Sequence, residues 1–355
     1  MTILTVNLLL GLMAWLRKDI SEAYNFTVQG LGLIRRWNLW ECAQTQRLHQ
    51  PESISTVESI LAAYVRHDSF TRHMCGASPS RIEELDMSPP WAEGWRFTSS
   101  SDAHQQLEFI WNWLMKLMRK RPILESRSVQ LQPGTDIRYS FRLAAERWKE
   151  RFHDFRSSKY YADDEENAIA ILGIRYLFVE VLLAVDITGL ELSWDAFKPN
   201  FENITSAAEV LSRRFDERSV DEAKTPSQTE ESNRRDALAL IVCELLLQVV
   251  WRCRCPILRR KALALLKIEE KRRPGDVRTL VTDLAEIIIT TEEKSWLSDA
   301  KTIRCGCIAG GYICSKDRII DYHMEWQPDQ KVSVYFRMKG DVEGHYLQQK
   351  VQMPY

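Results

Sequence analysis

The stretch Trp251–Leu266, WRCRCPILRRKALALL, constrains the fold of this chain more than any other. It reads as the end of one buried helix, a tight joint and the start of a second helix. Pro256 suits a first helical position, where its missing N–H would have no intrahelical partner. Ile257, Leu258, Ala262, Leu265 and Leu266 then recur at helical spacing, while Arg259, Arg260 and Lys261 fall mostly on the wet side. Cys255 stands where an N-cap acceptor is wanted, a choice that costs about 1 kcal/mol.

The same period runs through most of the first 300 residues. Ser55-Thr56-Val57-Glu58 has the form of a capping box opening a helix with Val57, Ile60, Leu61, Tyr64 and Val65 on one face. Further helices are predicted over Ser101–Arg119, Tyr139–Phe155, Glu165–Leu183, Trp194–Phe215, Asp236–Trp251, Pro256–Arg272 and Asp276–Thr290. Loops are predicted over 73–99, which contains Pro89 and Pro90, and over 217–234, which is charged and nearly free of apolar residues. In the C-terminal part Ile320, Tyr322, Met324 and Trp326 alternate with polar residues, as do Val332, Val334, Phe336 and Met338. That alternation predicts a β-hairpin over about 318–340, turning at Gln327–Gln330. The predicted class is therefore all-α, a mainly helical bundle in one domain spanning 1–355, with a small C-terminal β-hairpin.

With 355 residues, 45% of them hydrophobic, the chain can bury a large core. Its formal net charge of −1 argues against a dedicated nucleic-acid binder, which is usually strongly basic. The eight cysteines are scattered without a disulfide framework, which implies a reducing compartment. Ile3–Leu16 is nearly all apolar, but its basic pair Arg17-Lys18 follows the run, unlike a signal peptide. It is also short of the roughly 20 residues that cross a bilayer, so it reads as a buried helix, and no membrane partner is expected.

The joint carries a resemblance. Arg252, Cys253, Arg254 and Pro256, followed by Arg259, Arg260, Ala262 and the pair Leu265-Leu266, resemble a segment in the regulatory domain of fungal binuclear zinc-cluster transcription factors. Leu8–Arg36 with Gly30–Ile34, Phe97–Leu117, Ala144-Ala145-x-x-Trp148, Ala168–Leu183 and Trp194–Leu211 follow in the order of that family, so the likeness extends to about residue 275. Two segments depart from its pattern: Cys255 replaces Asp, and Arg272-Arg273-Pro274-Gly275-Asp276 lacks the family's Glu and Trp. No two cysteines are spaced as Cys-x-x-Cys, the unit of the family's DNA-reading module. The resemblance implies a nuclear transcription-regulating protein of a specialised metabolic pathway, cytoplasmic if the likeness fails. It would act through protein contacts, with a complete zinc-cluster factor or another regulator as partner, rather than by sequence-specific DNA binding. The alternative is an enzyme or ligand-binding protein that uses the same helical scaffold for a pathway intermediate.

Chemistry-bearing motifs are few. The basic cluster Arg252, Arg254, Arg259, Arg260, Lys261, Lys267, Lys271, Arg272 and Arg273 offers a contact for phosphate or an acidic partner. It reads first, however, as a solvated helix face whose charges pair with Glu269, Glu270 and neighbouring acids. Cys253-x-Cys255 and Cys305-x-Cys307, with Cys314 and His323, would need convergence to hold zinc, and buried small hydrophobes are the simpler reading. His323-Met-Glu325 lies on a predicted strand without the Pro-Cys-x-x-Cys that a deaminase requires. Acids at 163–166 answer the positive end of a helix. Phe109, Trp111 and Trp113 read as core. No catalytic residue, cofactor or metal ligand is assigned.

Overall fold

A computed structural model describes residues 2–17, 19–39, 42, 57, 60, 61, 63, 64, 67, 68, 96–126, 137–157, 165–186, 191–222, 229–272, 277–298, 313, 314, 317–326, 331–338 and 347–354. The described residues are mainly helical and carry a small antiparallel sheet at the C-terminal end. The chain divides into two compact units. One comprises Met1–Lys120, Gln130–Tyr161 and His323–Asp329; the other comprises Arg121–Val129, Ala162–Tyr322 and Gln330–Tyr355.

The first unit begins with a hairpin of α1 (Thr2–Leu16) and α2 (Ile20–Arg36). Asp19 caps α2 by accepting a hydrogen bond from the Glu22 N–H at 2.9 Å. Leu4, Leu31, Ile34, Leu61 and Tyr64 form one buried cluster. The Tyr64 hydroxyl donates to the Leu4 carbonyl at 2.9 Å and lies 2.7 Å from Asn7 Oδ1, which ties the helical residues around position 64 to α1. Gly30 lies under that ring, where a Cβ would approach Tyr64 Cε1 to 2.1 Å. The helix predicted there is present at Val57, Ile60, Leu61 and Tyr64; its predicted cap at Ser55 and its Val65 lie outside the described residues.

The unit continues with α3 (Ser100–Ser126), as far as Lys120, and α4 (Ile137–Ser157). The start of α3 is fixed by a reciprocal cap, in which the Asp102 N–H donates to Ser99 Oγ and the Thr98 N–H donates to Asp102 Oδ2. Trp148 Nε1 donates to the Ala103 carbonyl at 2.8 Å, and the Trp148 ring stacks on Phe152. Trp111 is fully buried, while Trp113 stacks on Phe141 with centroids 3.5 Å apart. Of the aromatic stripe, Trp111 belongs to the core, while Phe109 and Trp113 are only partly buried.

The second unit holds α5 (Glu166–Ala184), a 3-10 helix (Glu191–Phe197), α6 (Lys198–Glu222), α7 (Thr229–Arg252), α8 (Pro256–Arg272) and α9 (Val277–Ser298). Among the described residues α5 alone is long and apolar enough to cross a membrane, and 72% of its apolar window is buried inside the fold. A helix that is apolar all round suits a central position. Two differences from the sequence expectations appear here. The helix predicted from Trp194 opens with a 3-10 segment, because Pro199 favours the first turn of a separate α-helix. The loop predicted over 217–234 is largely helical, since α6 reaches Glu222 and α7 starts at Thr229.

Last in sequence is a sheet of strand order β1 (Ile319–Trp326), β2 (Lys331–Met338), β3 (Leu347–Pro354). The predicted hairpin strands are present with Tyr322, Met324, Val332, Val334 and Phe336 buried. A third strand extends them antiparallel to β2, with Val334 opposite Val351 and a register shift before Phe336. The predicted turn at 327–330 and the predicted loop at 73–95 lie outside the described residues.

Candidate functional site

The joint between α7 and α8 organises the second unit. Helix α7 ends at Arg252 because Cys253, Arg254 and Cys255 leave the helical path, and Pro256 starts α8 at the position its geometry favours. Leu258, Ala262, Leu265 and Leu266 are buried as predicted, whereas Ile257, expected on the same face, is 78% exposed. It precedes the first core position by one residue, and a one-residue step turns it about 100° around the axis.

The arginines correct the sequence reading. Arg254 is 1% exposed and Arg259 is 0% exposed, and Arg252 is buried as well. These three are not a solvated face. Arg252 donates to both carboxylate oxygens of Glu191 at 3.3 Å and lies over the Trp251 ring at 3.8 Å. Arg254 Nη2 is shared among Glu191 Oε2 at 3.2 Å, Glu292 Oε1 at 3.1 Å and the Ile319 carbonyl at 3.2 Å. Its Nη1 donates back to the Arg252 carbonyl at 2.9 Å, which holds the bend. Arg259 Nε donates to the Val250 carbonyl at 2.9 Å, and its Nη2 lies 2.7 Å from Glu292 Oε2. Arg260 is half in water and pairs with Glu293.

A further arginine outside the joint completes the cluster. Arg318 grips Asp195 through two bonds of 3.0 and 2.7 Å and donates to the Glu191 carbonyl at 2.9 Å. The next residue starts β1: the Ile319 N–H donates to Glu292 Oε1 at 2.7 Å, and its carbonyl accepts from Trp251 Nε1 at 3.0 Å. The 3-10 helix, the joint, the end of α9 and the start of β1 thus meet on Glu191 and Glu292. Burial lowers the pKa of Arg254, but the charges of Glu292 and Glu191 outweigh it, and the net shift is upward. For Arg259 burial prevails over Glu292, and the net shift is downward. Buried ionised groups are tolerated when paired. Arg254 and Arg259 each have a carboxylate and a carbonyl partner, although Arg254 Nε, both Arg259 Nη atoms and Glu292 Oε2 make no hydrogen bond.

Lys261, Lys267 and Arg272 lie further toward solvent and pair with acids, as predicted, Arg272 with the expected Glu269 and the two lysines with others. Arg273 lies outside the described residues. Lys261 meets Glu209 at 2.8 Å and Lys267 meets Glu286. Arg272 pairs with Glu269, itself buried against Ser212. Glu191, Asp195, Glu292, Glu293 and Arg318 were not singled out by sequence.

The cysteines take the bland role. Cys253 and Cys255 are buried, so Cys255 is not an open cap position, and burial pushes the Cys253 thiol up to about 11. Such a thiol stays protonated and unreactive at neutral pH. Among the described residues no group of three or more His, Cys, Asp or Glu side chains could hold a metal ion. Cys305 and Cys307 lie outside those residues, as does the side chain of His323. Glu166 pairs with Arg214 at 2.8 Å. Compared with protein families, curated proteins and solved structures, the chain matches no family model, no curated protein and no solved structure.

Proposed function

We propose that this chain is a transcription-factor-like regulatory protein that acts through protein contacts, in the nucleus, on genes of a specialised metabolic pathway. One observation carries the reading. The residues that resemble the regulatory domain of fungal zinc-cluster factors work together at one structural joint. Arg252, Arg254 and Arg259 close the buried ion-pair cluster, Pro256 opens α8, and Leu265 and Leu266 enter the core. A chance run of basic and apolar residues has no reason to supply every one of these roles.

The same burial weighs against a nucleic-acid surface at the joint. Guanidiniums already held by Glu191 and Glu292 are not offered to phosphate, and the net charge of −1 supplies no long-range attraction. The partner in this reading is a complete zinc-cluster factor or another regulator. Tethering the chain to a heterologous DNA-binding module upstream of a reporter tests the proposal. Transcription should rise or fall several-fold against the module alone. An unchanged reporter, with the fusion present and folded, contradicts it, as does nanomolar sequence-selective DNA binding by the isolated chain.

A further inference from the structure

We propose that the outward face of α1 is a dimerisation surface, on which α1 packs antiparallel against α1 of a second copy of this chain. The proposal rests on the hairpin of the first unit and does not depend on the functional reading above. Helix α1 contains no charged residue from Thr2 to Leu16. One side, with Leu4, Gly11 and Ala14, is buried. The other presents Ile3, Val6, Leu9, Leu10, Leu12 and Met13, between 39% and 60% exposed.

The spacing says what kind of partner this face takes. Ile3, Val6, Leu10 and Met13 are separated by three, four and three residues, the period of a helix–helix seam. That spacing reads the same in both directions about residue 8. A two-fold antiparallel pairing therefore sets Ile3 opposite Met13 and Val6 opposite Leu10, so the patch is complementary to itself. Ile3, Val6, Leu10 and Met13 with the flanking Leu9 leave on the order of 500 Å² of apolar surface per chain, so two copies cover on the order of 1,000 Å², about the least that a specific dimer needs. Arg17, at the end that meets the partner's first turn, is already neutralised by Glu22 at 2.8 Å.

A lipid surface suits the face less well. At 15 residues α1 is too short to span, and it lacks the Lys/Arg-rich polar side of a helix that lies in the headgroup region.

Light scattering on the full chain, the Val6→Glu and Leu10→Lys variants and their equimolar mixture tests the proposal. At about 50 µM the parent chain should show twice the 41.4 kDa chain mass, and each variant should fall to the single-chain mass with its far-UV helical signal intact. The mixture should regain the dimer, because antiparallel pairing sets the introduced carboxylate at position 6 of one chain against the introduced ammonium at position 10 of the other. A parent chain that stays monomeric overturns the proposal, as does a monomer that co-sediments with phosphatidylcholine–phosphatidylserine vesicles. A mixture that stays monomeric overturns the antiparallel pairing, and loss of helical signal in both single variants would make the face part of the core.

Discussion

His67 shows how one buried side chain ties stability to pH. The Thr27 hydroxyl donates to the Ala23 carbonyl at 2.8 Å, so at the 2.6 Å contact with His67 the ring Nδ1–H is the donor. That bond fits either protonation state, but burial disfavours the charged ring and pulls its pKa down to about 4, so the imidazole is neutral near pH 7. Above the unfolded value of about 6.5 it is neutral in both states and its contribution is complete. As the pH falls from there toward 4, the unfolded chain takes up a proton that the folded chain refuses. About 3 kcal/mol of stability should be lost across that window. A proton NMR titration, with His67 assigned by its loss in His67→Gln, should give a midpoint near 4; a midpoint above 6 contradicts the buried neutral ring. Gly30 offers a second residue-scale test. Gly30→Ala puts a methyl into the Tyr64 ring, which its bonds to Leu4 and Asn7 keep from swinging away. Overpacking of this kind costs about 1–3 kcal/mol, to be read by chemical denaturation, and a neutral change would show that the ring can move aside.

At the scale of elements, α8 depends on a stripe that the sequence displays openly. Leu258, Ala262, Leu265 and Leu266 are buried, and Leu265→Ala should destabilise the protein by about 2–5 kcal/mol in urea unfolding. A loss below about 0.5 kcal/mol would mean that this side faces water. The bounds of α8 were legible because Pro256 marks its start and Leu258, Ala262, Leu265 and Leu266 keep a helical period, although Ile257 is exposed and Arg259 buried, against expectation. The arginines were not legible in the same way, because a guanidinium three residues past a proline looks alike in water or against a carboxylate. The distant partners of Arg254, at Glu191, Glu292 and Ile319, lie 38 to 65 residues away in sequence, and no periodicity reports such contacts. The third strand was missed for a related reason. Leu347-Gln-Gln-Lys-Val-Gln-Met-Pro alternates only weakly, and it becomes a strand because β2 offers it an open edge. Apolar α1 shows the opposite limit: composition marked it for burial, yet only one side is covered.

For the molecule as a whole, the buried charges decide how the second unit is assembled. Hydrophobic contacts can slide, whereas Arg254 and Glu292 admit few arrangements once they are dry, because a misplaced charge would be left without a partner. Arg318 and the Ile319 backbone bring the start of β1 into the same cluster, so the C-terminal part is held by polar geometry as well as by apolar area. A double-mutant cycle on Arg254→Met and Glu292→Gln, followed by chemical denaturation, measures this most directly. Each single change should cost about 3–5 kcal/mol by stranding its partner in the dry interior. The double variant should cost less than the sum by about 1–3 kcal/mol, since the two losses share one interaction. Small single effects that simply add would contradict the account and return these arginines to the solvent.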